Sequence, residues 1–133
     1  WNIPGDESDL IGRRASQPVD QICFHFEKQF SDGTGITKVA AEALSILGNC
    51  DQIYISFDVD SLDSSISMGT GTPVANGLTV KEALELNTEL IKDKRVCCWE
   101  IVEVNPTLDS ENLMAENAFD ILEATTKSLV DHF

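Results

Sequence analysis

The chain has 133 residues, of which 42% are hydrophobic, and this composition supports a single domain with one core. Its 23 acidic against 9 basic residues give a formal net charge of −14, which argues against nucleic acid and anionic membrane surfaces as partners. No apolar run approaches the length that a membrane-spanning helix needs, so no membrane partner is expected.

The first half of the chain predicts a loop, a strand, a helix and a second strand, in that order. Residues 1–20 are loop-like, with a Pro4-Gly5 turn signal and polar residues 6–9, and carry no secretory signal pattern. Alternating apolar residues predict a strand over residues 21–26, and apolar residues at helical spacing predict a helix from residue 36 to Gly48. Residues 53–57 are short, apolar and partly β-branched, which is typical of a buried strand.

The second half repeats this alternation. Thr79 and Glu82 have the spacing of a capping box and predict the start of a second helix. Residues 95–102 predict a third strand, and residues 113–129 predict a final helix. Strands alternating with helices predict an α/β fold with a parallel sheet, in which function gathers at the carboxyl ends of the strands.

Acidic side chains stand at two of those predicted carboxyl ends. Asp58 and Asp60 follow the second strand, and Glu103 follows the third. If the strand continues through both aspartates, their carboxylates leave the same face, with Cα atoms roughly 6–7 Å apart. Such a pair needs a shared proton or a cation, and oxygen ligands suit Mn²⁺ or Mg²⁺. The alternatives without a functional role are that Asp58 and Asp60 are a solvated D-x-D, and that Glu103 pairs with a surface Lys or Arg.

The residues around these acids carry a longer motif. The run S-F-D-V-D-S-L-D begins at Ser56, a G-T-G-T-P-V-A-N-G-L-T loop covers residues 69–79, and E-V-N-P begins at Glu103. The combination resembles the ureohydrolase family of arginases, agmatinases and formimidoylglutamases. The resemblance implies a three-layer α/β/α fold with a parallel sheet and a binuclear manganese centre. It makes Asp58 a ligand bridging both metals and Asp60 a ligand of one. It also implies that Glu103 holds the substrate guanidinium and that Thr72 lines the substrate pocket.

Within the family, Asn-Pro after Glu103 and the N-L-M-A-E-N-A run from Asn112 favour an arginase. The resemblance then implies metal-dependent hydrolysis of L-arginine to L-ornithine and urea, in a homo-oligomer that is a trimer or a hexamer. Formimidoylglutamase, which shares E-V-N-P, and agmatinase remain alternatives with the same mechanism and another guanidino or formimino substrate.

Part of the family pattern is missing. Neither the G-G-D-H nor the D-A-H-x-D motif occurs, and the two histidines, His25 and His132, stand in other contexts. We therefore expect residues 1–133 to be the C-terminal part of a ureohydrolase domain that is inactive alone, and we assign no residue to proton transfer. Asp6 and Glu7 are a weak counterpart of the family's upstream acidic loop. The other hypothesis is a non-catalytic, truncated domain that packs against partner chains.

The four cysteines, Cys23, Cys50, Cys97 and Cys98, show no C-x-x-C spacing. We expect them to be reduced and mostly buried, without a zinc site, in a cytoplasmic protein.

Overall fold

The computed structural model describes residues 35–132. The strand predicted over residues 21–26 lies outside this range, as do Asp6, Glu7, Cys23 and His25. The helices are α1 (Ile36–Ile46), α2 (Val80–Leu90) and α3 (Leu113–His132), and the strands are β1 (Ile53–Asp58) and β2 (Val96–Val102). Short 3₁₀ turns cover Val59–Ser61 and Ser110–Asn112. The helices and strands predicted from residue 36 onwards are therefore confirmed.

The two strands pair in parallel, with α2 in the connection between them. Ile53 pairs with Val96 at one end and Asp58 with Val102 at the other. The register slips by one residue after Ile53, so that Tyr54 already faces Cys98. This parallel register places the carboxyl ends of both strands at one edge of the sheet, and the acidic residues that follow those ends therefore lie there.

One face of the sheet is covered by the helices. Alternate residues Ile53, Ile55 and Phe57 of β1 turn toward a core to which all three helices contribute. The fully buried apolar side chains of that core are Val39, Val59, Leu62, Leu78, Ala83, Met114 and Ile121. The α/β architecture with a parallel sheet is confirmed, and within residues 35–132 the helices form a single layer on one face.

The helix ends follow local rules. Thr79 and Glu82 form the predicted capping box: the Thr79 hydroxyl accepts from the Glu82 N–H at 3.2 Å, and the Glu82 carboxylate accepts from the Thr79 N–H at 2.8 Å. Near the start of α3, the Asp109 carboxylate accepts from the N–H groups of Met114 and Ala115. None of the helices in the described region is long and apolar enough to cross a bilayer.

The cysteine expectation is half right. Cys50, Cys97 and Cys98 are free, but Cys97 and Cys98 are exposed and Cys50 is only half-buried, so the prediction of mostly buried thiols is wrong for these three. Cys98 lies opposite Tyr54, on the sheet face that no described helix covers. Cys97 falls at the slip in register, where the strand is locally irregular.

Candidate active site at the carboxyl edge of the sheet

Asp58 is the last residue of β1, and Asp60 lies in the turn that follows. The strand ends because Val59–Ser61 form one 3₁₀ turn, capped by Asp58 Oδ1, which accepts from the Asp60 N–H at 2.8 Å. Strand alternation therefore does not bring the two carboxylates together, and that part of the prediction is wrong. The turn does so instead, and both side chains are half-buried. Asp60 lies close to Asp58 because the two residues are near in sequence and because the Asp60 N–H donates to the Asp58 carboxylate.

The Asp60 carboxylate is held by the glycine-rich loop. The Thr70 hydroxyl donates to Oδ1, and the Thr72 hydroxyl donates to Oδ2. Thr70 is 2% exposed, whereas Thr72 is exposed. The sequence singled out Thr72 and missed Thr70. The spacing of Thr70 and Thr72 could have indicated Thr70, since residues two apart in an extended segment share a face.

The loop itself is anchored on the residues that follow the turn. Leu62 bridges to Leu78, and Asp63 bridges to Val74. The Asp63 N–H donates to the Leu78 carbonyl at 2.9 Å, and the Leu78 N–H donates to the Ser61 carbonyl at 2.8 Å. At Gly77 a Cβ would lie 2.6 Å from the Leu62 carbonyl carbon, so the two backbones touch there. The middle and the end of the loop are thus fixed against the acidic turn and the residues that follow it.

Glu103 follows Val102, which is the strand partner of Asp58. Its backbone has a positive φ of 67°, and its side chain is exposed. Two residues later, the Asn105 N–H donates to the Gly69 carbonyl at 2.7 Å. The segment carrying Glu103 is therefore tied to the same loop that holds Asp60. The structure brings Asp58, Asp60, Glu103 and Thr72 to one edge of the sheet.

Among residues 35–132, the charged neighbours that act on Asp58 are acidic. Burial raises the pKa of Asp58 above its ordinary value, and the charges of Asp60 and Glu103 raise it further, while the hydrogen bond from the Asp60 N–H acts in the opposite direction. Across residues 35–132, the lysine and arginine ion pairs involve other acids. A cation at this edge would relieve the repulsion.

Glu100 has a different environment, on the open face of the sheet. It accepts from the Ser56 hydroxyl at 2.9 Å. Its hydrogen bond with the Tyr54 phenol raises the pKa of Tyr54 to about 12. Glu100 is therefore engaged in a local polar network with Ser56 and Tyr54.

The donor set at the edge fits part of a metal site. Asp58 and Asp60 offer carboxylate oxygens, the ligands that hard divalent cations prefer, and the raised pKa of Asp58 marks a charge that such an ion would stabilise. Within the described range, however, no three His, Cys, Asp or Glu side chains are grouped as a metal site. The two aspartates therefore supply part of a coordination shell and not the whole of one.

The chain is similar to several known proteins. A model of the arginase family matches residues 14–126. An arginase of Bacillus subtilis is 38% identical over 94 residues, which cover 70% of this chain and 31% of that protein. The crystal structure of Entamoeba histolytica arginase in complex with L-ornithine is similar with a TM-score of 0.66 at 28% identity, over 71% of this chain and 32% of that one. A formimidoylglutamase from Bacillus subtilis is similar with a TM-score of 0.68 at 31% identity, over 74% of this chain and 31% of that one.

These relatives are longer than the chain, which spans about a third of their length. The family match nevertheless runs through both strands, the acidic turn, the glycine-rich loop and the segment that carries Glu103. The chain therefore belongs to the arginase family.

Proposed function

We propose that this chain contributes one side of an arginase-type active site that hydrolyses L-arginine to L-ornithine and urea. In this proposal Asp58 and Asp60 are ligands of a binuclear manganese centre, Glu103 binds the substrate guanidinium, and Thr72 lines the substrate pocket. The observation that carries the proposal is the convergence of three acids at one edge. Asp58 pairs with Val102, and the charge of Glu103 acts on Asp58.

The chemistry of Glu103 suits a guanidinium. A planar cation is held best by a carboxylate that accepts two of its N–H groups, and such charge-assisted bonds also fix its orientation. Glu103 is exposed and therefore accessible to a ligand, while its backbone follows a fixed strand end. Glu103 would bind the guanidinium and hold its central carbon in place beside the aspartates.

When bound, the manganese centre would supply an activated water for attack on the guanidinium carbon. Asp58 and Asp60 would hold part of that centre through their carboxylate oxygens. Thr72, on the exposed side of the loop, would donate either to Asp60 or to the substrate. The balance is one water consumed for each arginine cleaved, with ornithine and urea released. We assign the final proton transfer to no residue of this chain.

Arginine is favoured as the substrate because several relatives that the chain resembles are named arginases, and one similar structure is of an arginase in complex with L-ornithine. Formimidoylglutamate is the second candidate, since a formimidoylglutamase has a TM-score of 0.68 to this chain. Both substrates present a planar nitrogen-rich group to Glu103. They differ in the remainder of the molecule, which residues outside the edge described here would contact.

The 133 residues by themselves are proposed to be inactive. Two aspartates provide too few ligands for two divalent ions, and the histidine motifs of the family are absent from the sequence. The remaining ligands would come from residues outside these 133. We further propose a homo-oligomer in the cytoplasm. Free, exposed Cys97 and Cys98 are compatible with a reducing compartment.

The test compares urea release from L-arginine by the 133-residue chain and by the longest native form of the protein, both with Mn²⁺ added. The longer form is expected to release urea and the 133-residue chain none. Formimidoylglutamate and agmatine serve as competing substrates. Manganese-dependent urea release from the 133-residue chain would contradict the incomplete-site part of the proposal.

Glu103→Gln tests the substrate role in the active form. It keeps the shape but removes the charge, so kcat/KM for arginine is expected to fall roughly 10- to 150-fold, the value of a hydrogen bond to a charged group. Glu100→Gln is the matched control on the same strand, because Glu100 is engaged by Ser56 and Tyr54. Equal kinetics for Glu103→Gln and the unmodified protein would exclude Glu103 as the guanidinium ligand.

A further inference from the structure

We propose that Thr70 is a positioning residue that sets the orientation of the Asp60 carboxylate through its buried hydroxyl. The family resemblance pointed to Thr72 in this loop, and nothing in the motif singled out Thr70. The consequence for metal binding rests on the proposed function above, but the contact itself can be tested without any metal.

Thr70 differs from the other buried hydroxyl residues of the described region. Four polar side chains there are buried, namely Ser67, Thr70, Asn87 and Thr125. The hydroxyl groups of Ser67 and Thr125 donate to nearby backbone carbonyls. The hydroxyl of Thr70 instead donates to a carboxylate, Oδ1 of Asp60. A buried hydroxyl used in this way is expensive to leave unpaired, so the contact is strongly specified.

The bond restricts a rotation that is otherwise free. The terminal torsion of an aspartate is broad, so a single contact leaves the plane of its carboxylate undefined. With Thr70 on Oδ1 and Thr72 on Oδ2, both oxygens of Asp60 have fixed donors. Each carboxylate oxygen accepts more than one bond, so lone pairs remain for a cation. The orientation of those lone pairs is then decided by the loop.

Burial makes the Thr70 contact the more important of the two. Thr72 is exposed, so water can replace its hydroxyl when the contact breaks. Thr70 is 2% exposed, and no such replacement is available to it. We therefore expect the loss of the Thr70 hydroxyl to have the larger effect on Asp60.

The backbone of Thr70 is held in place by the segment that carries Glu103. The neighbouring residue, Gly69, accepts a hydrogen bond from the Asn105 N–H at 2.7 Å. A Cβ on Gly69 would lie 2.7 Å from the Cβ atoms of both Asp109 and Met114, so the loop lies directly on these residues. Thr70 thus joins the position of Asp60 to the segment after β2.

The first test is a double-mutant cycle in the full-length protein without metal. Thr70→Val and Asp60→Ala are made singly and together, and unfolding by urea is measured for each. We expect the effects to be non-additive by about a tenfold factor in the unfolding equilibrium constant, because the two side chains share one bond. Thr125→Val with Asp60→Ala is the matched cycle, since Thr125 is equally buried and its hydroxyl donates to Ile121. That cycle should be additive.

The second test is the affinity for Mn²⁺ alone, followed by the electron paramagnetic resonance signal of the free ion. Thr70→Val should bind Mn²⁺ about 10- to 100-fold more weakly, the usual cost of losing a group that orients a metal ligand. Thr70→Ser, which keeps the hydroxyl, should recover most of the affinity. Thr125→Val should bind Mn²⁺ as the unmodified protein does.

The outcomes separate the two proposals. An additive Thr70–Asp60 cycle overturns the positioning role, whatever the metal does. A coupled cycle together with unchanged Mn²⁺ affinity in Thr70→Val also overturns it, because the orientation then has no consequence. A coupled cycle in a protein that binds no Mn²⁺ at all supports the orientation by Thr70 and overturns the proposed metal-dependent function.

Discussion

The two ends of the β1–β2 pair handle charge in opposite ways. At the amino end, the guanidinium of Arg95 pairs with Asp93 at 2.8 Å and also donates to the carbonyls of Leu44 and Leu47 at the end of α1. At the carboxyl end, Asp58 and its acidic neighbours have no basic partner within residues 35–132. Within the described part of the chain, the sheet thus has a neutralised end and an end with excess negative charge.

The charges at the amino end stabilise the fold, whereas those at the carboxyl end reduce its stability. At the amino end, the Arg95 guanidinium satisfies carbonyls at the partly buried end of α1, and this raises the free energy of unfolding. At the carboxyl end, burial and neighbouring charges raise the pKa of Asp58, which means that its charged form costs stability. A cation bound at this strand end would offset that cost, and we propose a metal pair and a guanidinium for this role.

The largest expected effect is at the neutralised end. Arg95→Ala removes the guanidinium that donates to Asp93 and to the α1 carbonyls, and only the backbone N–H of residue 95 still donates to Asp93. We expect the change to lower the free energy of unfolding by about 1–3 kcal/mol. Denaturation with urea measures this. Lys127→Ala is the control, because the Lys127–Glu123 pair is exposed, and it should change stability by no more than about 0.5 kcal/mol. Equal effects for the two variants would mean that Arg95 is only a surface charge.

A smaller effect at the same end depends on pH. The hydrogen bond from Arg95 holds the pKa of Asp93 below its ordinary value of 3.8. A lowered pKa means that Asp93 stabilises the fold while it is charged, above pH 3.8, and that this stability is lost as the pH falls through the folded-state pKa. The difference in unfolding free energy between the protein and Asp93→Asn should therefore shrink on acidification. A difference that is constant with pH would contradict the charge-based account.

The smallest effect has the opposite sign and lies at the acidic end. Because the pKa of Asp58 is raised, its charged form destabilises the metal-free fold, and this cost appears as the pH rises through the raised pKa. Asp58→Asn keeps the oxygen that accepts from the Asp60 N–H, and at neutral pH it should stabilise the metal-free protein by at most about 1 kcal/mol.

The gain from Asp58→Asn should vanish below pH 3.8, the ordinary pKa of the group. Asp63→Asn is the matched control. The hydroxyl and N–H of Ser65 lower the pKa of Asp63, so its loss should destabilise the fold instead. Destabilisation by Asp58→Asn at neutral pH would remove the contrast between the two ends of the sheet.

Much of this arrangement could be predicted from local patterns. The capping box at Thr79 and Glu82 and the spacing of apolar residues predicted α2, and the alternation of elements predicted a parallel sheet. A parallel sheet then brings Asp58 and Glu103 to the same edge, because both residues follow or end strands. Each of these steps depends on interactions within a few residues or on a general rule of topology.

Other parts could not be predicted, because they depend on contacts between distant segments. Thr70 and Thr72 are identical in type, and only the tertiary packing around the loop makes Thr70 buried and Thr72 exposed. Cys97 and Cys98 were expected to be buried, but hydrophobicity does not reveal which face of a sheet the helices cover. The turn after Asp58 likewise replaced the expected strand continuation.

By itself, the sequence determined which residues carry charge, where the helices and strands lie from residue 36 onwards, and which family motif connects them. The tertiary structure decided the rest: that Asp60 is oriented by a loop ten residues away, and that Glu103 lies close enough to Asp58 to change its pKa. The reason is physical. Helix and strand propensities and caps act over a few neighbouring residues, whereas burial and the coupling of charges depend on which segments the fold brings together.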